Sequence, residues 1–220
     1  TPGFYTTGDN NWFYADSHGR NVTGAQVING QHLYFDANGR QVKGGFVTNT
    51  DCSRSFYHWN TGDKLVSTFF TTGHDRWYYA DDKGNVVTGA QVINGQKLFF
   101  ATDGKQVKGD FATNANGSRS YYHGATGNKL VSTFFTTGDN NWYYADAKGE
   151  LVVGEQTING QNLYFDQTGK QVKGATAANP DGSISYYDVH TGEKAINRWV
   201  KIPSGQWVYF NAQGKGYVSN

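Results

Sequence analysis

The sequence has no methionine, a single cysteine, three prolines and no long apolar run. Each shortage closes a route. The lone Cys52 allows no internal disulfide, so covalent staples do not hold the chain together. It stands where the related segments described below carry Gly, at an expected turn, and no activating base repeats around it. It reads as a drifted turn residue, not a nucleophile. No stretch approaches the roughly 18 apolar residues of a membrane-spanning helix. The chain opens on Thr1-Pro2-Gly3 with neither a basic start nor an apolar stretch, so any export signal is expected to have been removed or to lie outside this sequence. Formal net charge is only +1 at pH 7, with Lys and Arg scattered among Asp and Glu, so the basic stripe that neutralises phosphates is missing and nucleic acid is not an expected partner.

What is abundant is equally specific: 29 Gly, 15 Tyr, 14 Phe and 6 Trp in 220 residues. Any core must be built largely from rings. Trp12, Trp77, Trp142 and Trp207 recur at a constant interval of 65 residues, the mark of a repeat architecture. Inside each period a ring pair returns three times, as Phe13-Tyr14, Tyr34-Phe35 and Phe56-Tyr57 in the first and Tyr78-Tyr79, Phe99-Phe100 and Tyr121-Tyr122 in the second. Three related units therefore form one super-repeat. The expected organisation is one repeat domain over 1–220, with super-repeats near 1–65, 66–130 and 131–195 and a partial one over 196–220.

Local signals define each unit. Asn29-Gly30, Asn94-Gly95 and Asn159-Gly160 each lie between two short runs, and Asn-Gly suits the two-residue hairpin turn because both central residues need φ > 0. After each ring pair comes a polar bend ending in Gly. Asp16, Asp36, Asp81, Asp146 and Asp166 sit at the start of such bends and are expected to fix them through local backbone hydrogen bonds. His58 and His123 occupy equivalent places beside a bend, with no second ligand at metal-binding spacing, and are expected to be solvated. No segment shows a helical period. One hairpin cannot bury its rings alone, so the expectation is an all-β solenoid of stacked β-hairpins, three per super-repeat.

The string "GAQVINGQ-LYFD--G-QVKG", from Gly24 to Gly44, from Gly89 to Gly109 and more loosely from Gly154 to Gly174, alternates with "WYYAD--G--VTG". In these residues the chain resembles the C-terminal glucan-binding repeats of glucansucrases, the dextransucrase and alternansucrase group of lactic acid bacteria, over essentially its whole length. Nothing in it resembles the catalytic barrel of those enzymes. More distantly, the Trp-Tyr-Tyr hairpins are similar to choline-binding repeats of cell-wall proteins and to the repeats of large clostridial toxins. The glucansucrase resemblance implies sugar pockets between consecutive hairpins, with a stacking Tyr and a Gln/Lys pair on the hydroxyls. Carried over by motif, it implies Tyr14, Thr23, Gln26, Gln41 and Lys43 in the first repeat and Tyr79, Thr88, Gln91, Gln106 and Lys108 in the second. The third set, Tyr144, Gln156, Gln171 and Lys173, departs from the pattern at Val153, where Thr is expected, and at Glu155, where Ala is expected.

The residues support sugar binding on their own chemistry. A pyranose offers an apolar C–H face and a rim of hydroxyls, which call for an exposed ring plus side chains that donate and accept hydrogen bonds. Trp77 and Tyr79 share one strand face and Tyr78 takes the other, but alternation alone leaves open which points outward. A ring pair in every unit is also a packing device. Gln-Val-Lys, by contrast, recurs in one unit of three and so is not a general solvent-facing pattern. Glycoside hydrolysis needs two carboxylates in unlike environments, whereas repeated positions have like ones, so no enzyme is expected. No cofactor is implied. The reading is a secreted, extracellular, non-catalytic module for dextran-like α-glucan or isomalto-oligosaccharide, monomeric and not inserted in a membrane. The alternatives are a cell-wall attachment module that binds choline in aromatic cages, or a structural spacer.

Overall fold

A computed structural model of the chain describes residues 1–219. Among them are twenty short strands, paired as ten antiparallel two-stranded hairpins, and no helix. The first super-repeat holds β1 (Gly3–Thr6) with β2 (Trp12–Ala15), β3 (Gly24–Ile28) with β4 (Gln31–Phe35), and β5 (Gly45–Thr48) with β6 (Arg54–Tyr57). The pattern continues from β7 (Thr68–Thr71) and β8 (Trp77–Ala80) to β19 (Arg198–Lys201) and β20 (Trp207–Phe210). The chain divides into two compact units, Thr1–Val107 and Lys108–Asn220.

Turn chemistry separates the hairpin types. Asn29 and Gly30 carry φ of 51° and 80°, as the two-residue turn demands, and the register runs Gly24↔Phe35 to Ile28↔Gln31. The β1–β2 loop instead takes two consecutive residues, Asp9 and Asn10, into the left-handed region, and Asp139 and Asn140 repeat this in the second unit. Asn and Asp tolerate that conformation better than other side chains. Cys52 has φ of 67°, where Gly117 and Gly182 stand at 84°, so it is indeed a turn residue.

The bends behave as expected. Asp16 Oδ1 accepts from the backbone N–H of His18 and of Arg20, at 2.8 and 2.9 Å. Asp36, Asp81, Asp146 and Asp166 do the same two and four residues on. The Arg20 N–H is the main reason the Asp16 carboxyl lies below the usual carboxylate range. After each bend a single residue bridges back to its own hairpin, as in Phe35↔Gln41 and Tyr57↔Lys64.

These return segments also tie neighbouring hairpins together. In the first unit Gln41 N donates to Trp12 O at 2.7 Å, Lys64 N to His32 O at 2.9 Å and Val86 N to Arg54 O at 2.8 Å; in the second, Leu151 N donates to Arg119 O and Lys194 N to Asn162 O. Within each unit, one backbone bond thus locks a hairpin to the return segment of the next.

The core is divided likewise. Ile28, Leu33 and Phe35 form one buried cluster, with Tyr14 and Val22 packed against it, and Phe56, Phe70, Tyr78, Ala80 and Val86 form another. Phe35, Phe100, Phe165 and Phe210 are fully buried. Each cluster unites residues of successive hairpins, so the fold is an all-β solenoid of repeated hairpins in which no hairpin closes its own core.

Candidate functional site

Strand alternation sorts the rings onto two faces. Tyr78 and Tyr143 are buried among Phe70 and Phe135, while Trp12, Trp77 and Trp142, one residue earlier, lie on the opposite face and stay partly open. Tyr14, Tyr79 and Tyr144 share the Trp face, are likewise half-buried, and adjoin the following hairpin. They pack against the Leu33, Leu98 and Leu163 clusters and meet Phe4, Phe69 and Phe134 at centroid distances of 4.7–4.9 Å. Trp and Tyr are thus alike half-buried, and it is Trp12 and Trp142, residues that marked the period in the sequence but that motif transfer did not select, that line grooves.

Around Trp12 the chain builds a groove of about 770 Å³. Its walls include Asn10 and Asn11 of the β1–β2 loop, Gln41 and Lys43 of the return segment, and Trp59 and Asn60 of the next bend. The Gln41 N–H···Trp12 O bond fixes the spacing of plate and amide. The Gln41 side chain is 8% exposed and its Nε2 donates to Thr61 O at 3.3 Å. Gly62 makes room for it: at φ of 72°, a Cβ there would lie 2.2 Å from Nε2. Lys43 Nζ sits 5.3 Å from the centre of the Trp12 ring, a cation–π contact.

The second unit repeats the groove at about 470 Å³, lined among others by Asn140, Asn141, Trp142, Gln171, Lys173, Val189 and His190. Gln171 N donates to Trp142 O at 2.7 Å, Lys173 Nζ stands 5.4 Å over the Trp142 ring, and Gly192 leaves the space for the Gln171 amide. In the middle super-repeat, Gln106 is likewise buried and bonded through its N–H to Trp77 O, and Lys108 opens the second compact unit.

The residues named by motif thus separate. Gln41 with Lys43, and Gln171 with Lys173, come together at the Trp grooves. Gln26, Gln91 and Gln156 lie elsewhere: each folds its Nε2 back onto a backbone oxygen three residues earlier, of Thr23, Thr88 and Val153, at 2.8 Å. Because the acceptor is the carbonyl and not the hydroxyl, Val153 serves as well as Thr. Glu155 forms an ion pair with Lys194 of the following hairpin. Burial, aided by the nearby Glu155 charge, pushes the Tyr187 hydroxyl well above its usual range.

Of the two histidines expected to be solvated, His123 is exposed and His58 is not fully so. His58 is half-buried, and its Nδ1 accepts from the N–H groups of Asn60 and Thr61 at 3.2 and 3.3 Å; His123 is exposed but its Nδ1 accepts from Thr126 N–H in the same way. In the third super-repeat Asp188 does this work with Oδ1. Aligning the three repeats at this bend would have revealed the shared acceptor role.

The chain is 41% identical over 203 residues to Glucosyltransferase-S of Streptococcus mutans serotype c, and 45% identical over 190 residues to Glucosyltransferase-I of the same organism. These alignments take in 92% and 86% of the chain, which spans only 14% and 13% of the relatives' length. Among solved structures, the choline-binding domain of CbpL from Streptococcus pneumoniae shares the fold, with a TM-score of 0.64 at 19% identity over 90% of this chain and 99% of that one. The choline-binding repeat matches at residues 22–69, 87–134 and 152–199, and the putative cell wall binding repeat at 67–86, 132–151 and 197–215. With matches over more than half its length, the chain belongs to the choline-binding repeat family.

Proposed function

We propose that the chain is a non-catalytic α-glucan-binding module, working outside the cell as part of a glucosyltransferase-type protein and holding polymer in its Trp-Gln-Lys grooves. The observation that carries this reading is the groove itself, built twice from a half-open indole, a buried amide and an ammonium at fixed spacing. Stacking of a pyranose C–H face on Trp12 or Trp142 would place ring hydroxyls beside Gln41 and Lys43, or Gln171 and Lys173. An amide both donates and accepts, and an ammonium donates three bonds, which suits hydroxyl recognition.

Family membership raises choline as the rival ligand. A quaternary ammonium needs an aromatic face free of other cations. The Trp12 and Trp142 rings already carry Lys43 and Lys173, and a second cation there would meet like-charge repulsion. A neutral sugar meets none. The names of the relatives favour the same side, since a glucosyltransferase acts on glucosyl groups. Beside Tyr14, Tyr79 and Tyr144, which are half-buried against the following cluster, Trp12, Trp77 and Trp142 are the proposed plates, because Trp12 and Trp142 line the grooves.

Affinity electrophoresis in dextran-containing gels tests the proposal, with choline as competitor. Retardation by dextran that choline does not relieve is the expected outcome; release by choline would favour wall attachment, and no retardation would leave the repeats as a spacer.

A further inference from the structure

The two grooves differ at Arg40 against Lys170, Gly45 against Ala175 and Asn60 against His190, and by the largest change of side chain at one bend. The bend after β6 carries Trp59, where the corresponding residues are Gly124 and Val189. Trp59 is 49% exposed and lines the groove of Trp12, as Val189 lines that of Trp142. A large exposed indole at a bend where Gly and Val suffice has no packing requirement behind it.

It is nevertheless held in place. Gly44, at φ of 64°, lets the chain pass close beneath it: a Cβ there would be 3.2 Å from Trp59 Cβ. His58 stacks on it at 4.7 Å with the rings 24° apart, and Phe56 meets its edge at 6.3 Å. His58 therefore has two tasks. Its Nδ1 accepts the turn N–H groups, which Asp188 does equally well with a carboxylate. Only an imidazole also offers a flat face for an indole. At the second bend His123 keeps the acceptor, but Gly124 leaves nothing for it to carry.

We propose that Trp59, carried by His58, is a second stacking plate that makes the Trp12 groove the tight site of the chain, binding two sugar units of an α-glucan where the Trp142 groove grips one. This rests on the reading of the chain as a glucan-binding module. Each plate adds an apolar face to a polar groove, and ring-stacking energies of this kind correspond to ~2- to 10-fold in affinity.

The test is titration of the full chain with isomaltotriose, followed by nuclear magnetic resonance of the tryptophan indole N–H signals. Trp59→Val copies the residue of the third super-repeat and should leave the fold intact. It should weaken the tightest binding event by ~3- to 10-fold, have no further effect when Trp12→Ala is already present, and leave the response at Trp142 unchanged. The pair Asp188→His with Val189→Trp should strengthen the Trp142 groove by a similar factor. If Trp59→Val and the parent bind alike, Trp59 is not a plate. If the parent shows no response at Trp12 or Trp142 to isomaltotriose, and dextran gels do not retard it, the glucan reading fails first.

Discussion

Gly62 and Gly30 provide a controlled pair for testing whether the buried Gln41 amide is part of the site. Both have positive φ, 72° and 80°, but a Cβ at Gly62 would meet Gln41 Nε2 at 2.2 Å, whereas nothing lies within 4 Å of one at Gly30. Gly30→Ala therefore carries only the left-handed backbone penalty of an L-residue, about 1–2 kcal/mol. Gly62→Ala carries the same penalty and also expels the amide. That removes the bond to Thr61 O and disturbs a buried polar group, adding about 1–3 kcal/mol. The expected losses by urea denaturation are thus about 1–2 kcal/mol for Gly30→Ala and about 2–5 kcal/mol for Gly62→Ala. In dextran gels run well below the unfolding transition, only Gly62→Ala should migrate faster than the parent, because only it loses a groove residue. If the two variants match in both stability and retention, the amide is not held as described and contributes nothing to the site.

Other expectations follow from the same geometry. Phe35→Ala empties a fully buried position shared by successive hairpins and should cost about 3–5 kcal/mol, read by denaturant unfolding; a loss under 1 kcal/mol would mean that the cluster is not a core. Cys52→Gly puts the residue of the two related turns at φ of 67° and should stabilise the chain by up to about 1 kcal/mol in thermal unfolding, with no change in glucan binding. Asp16, Asp51, Asp166, Asp181 and Asp188 all hold folded carboxyl pKa values below the ordinary 3.8, through bonds from bend N–H and hydroxyl groups and, at Asp181, chiefly from Lys215. Depressed folded values mean that the unfolded chain binds protons first, so this stability is present above about pH 4 and is lost as pH falls below it. A pH-scanned unfolding series that stayed flat from pH 5 to pH 2 would contradict this. Finally, recurring grooves can bind one polymer together, so long dextran should bind ~10²-fold more tightly than a trisaccharide; equal affinity would mean a single isolated site.

Much of the fold could be read in advance because it is written locally. Asn29-Gly30 can make only one kind of tight turn comfortably, and the Asp at each bend bonds to its own neighbours within four residues. The site was less legible because its selection is not local. Alternation puts Trp12 and Tyr14 on one face, but which of them lines a groove depends on where the return segment docks, and the Gln41 N–H···Trp12 O bond that ties that segment down joins two different hairpins. Gln41 and Lys43 stood out by recurring in one unit of three, and they do reach the groove. Gln26 recurs in the same unit for another reason, a bond to Thr23 O that any such turn can use. Recurrence alone did not distinguish the two. Trp59 escaped notice because comparison between super-repeats draws the eye to what is kept, and it is the residue that changes.

The most direct test of the central claim is dextran retention of a variant in which Trp12, Trp77 and Trp142 are all replaced by Ala. These rings are only partly buried, so the variant should keep the helix-free β spectrum of the parent in circular dichroism. The account predicts that the parent is retarded by dextran, with choline unable to compete, and that the folded variant runs as it does in a gel without polymer. Unchanged retention of the folded variant would contradict the account, because glucan would then be held somewhere other than the tryptophan grooves.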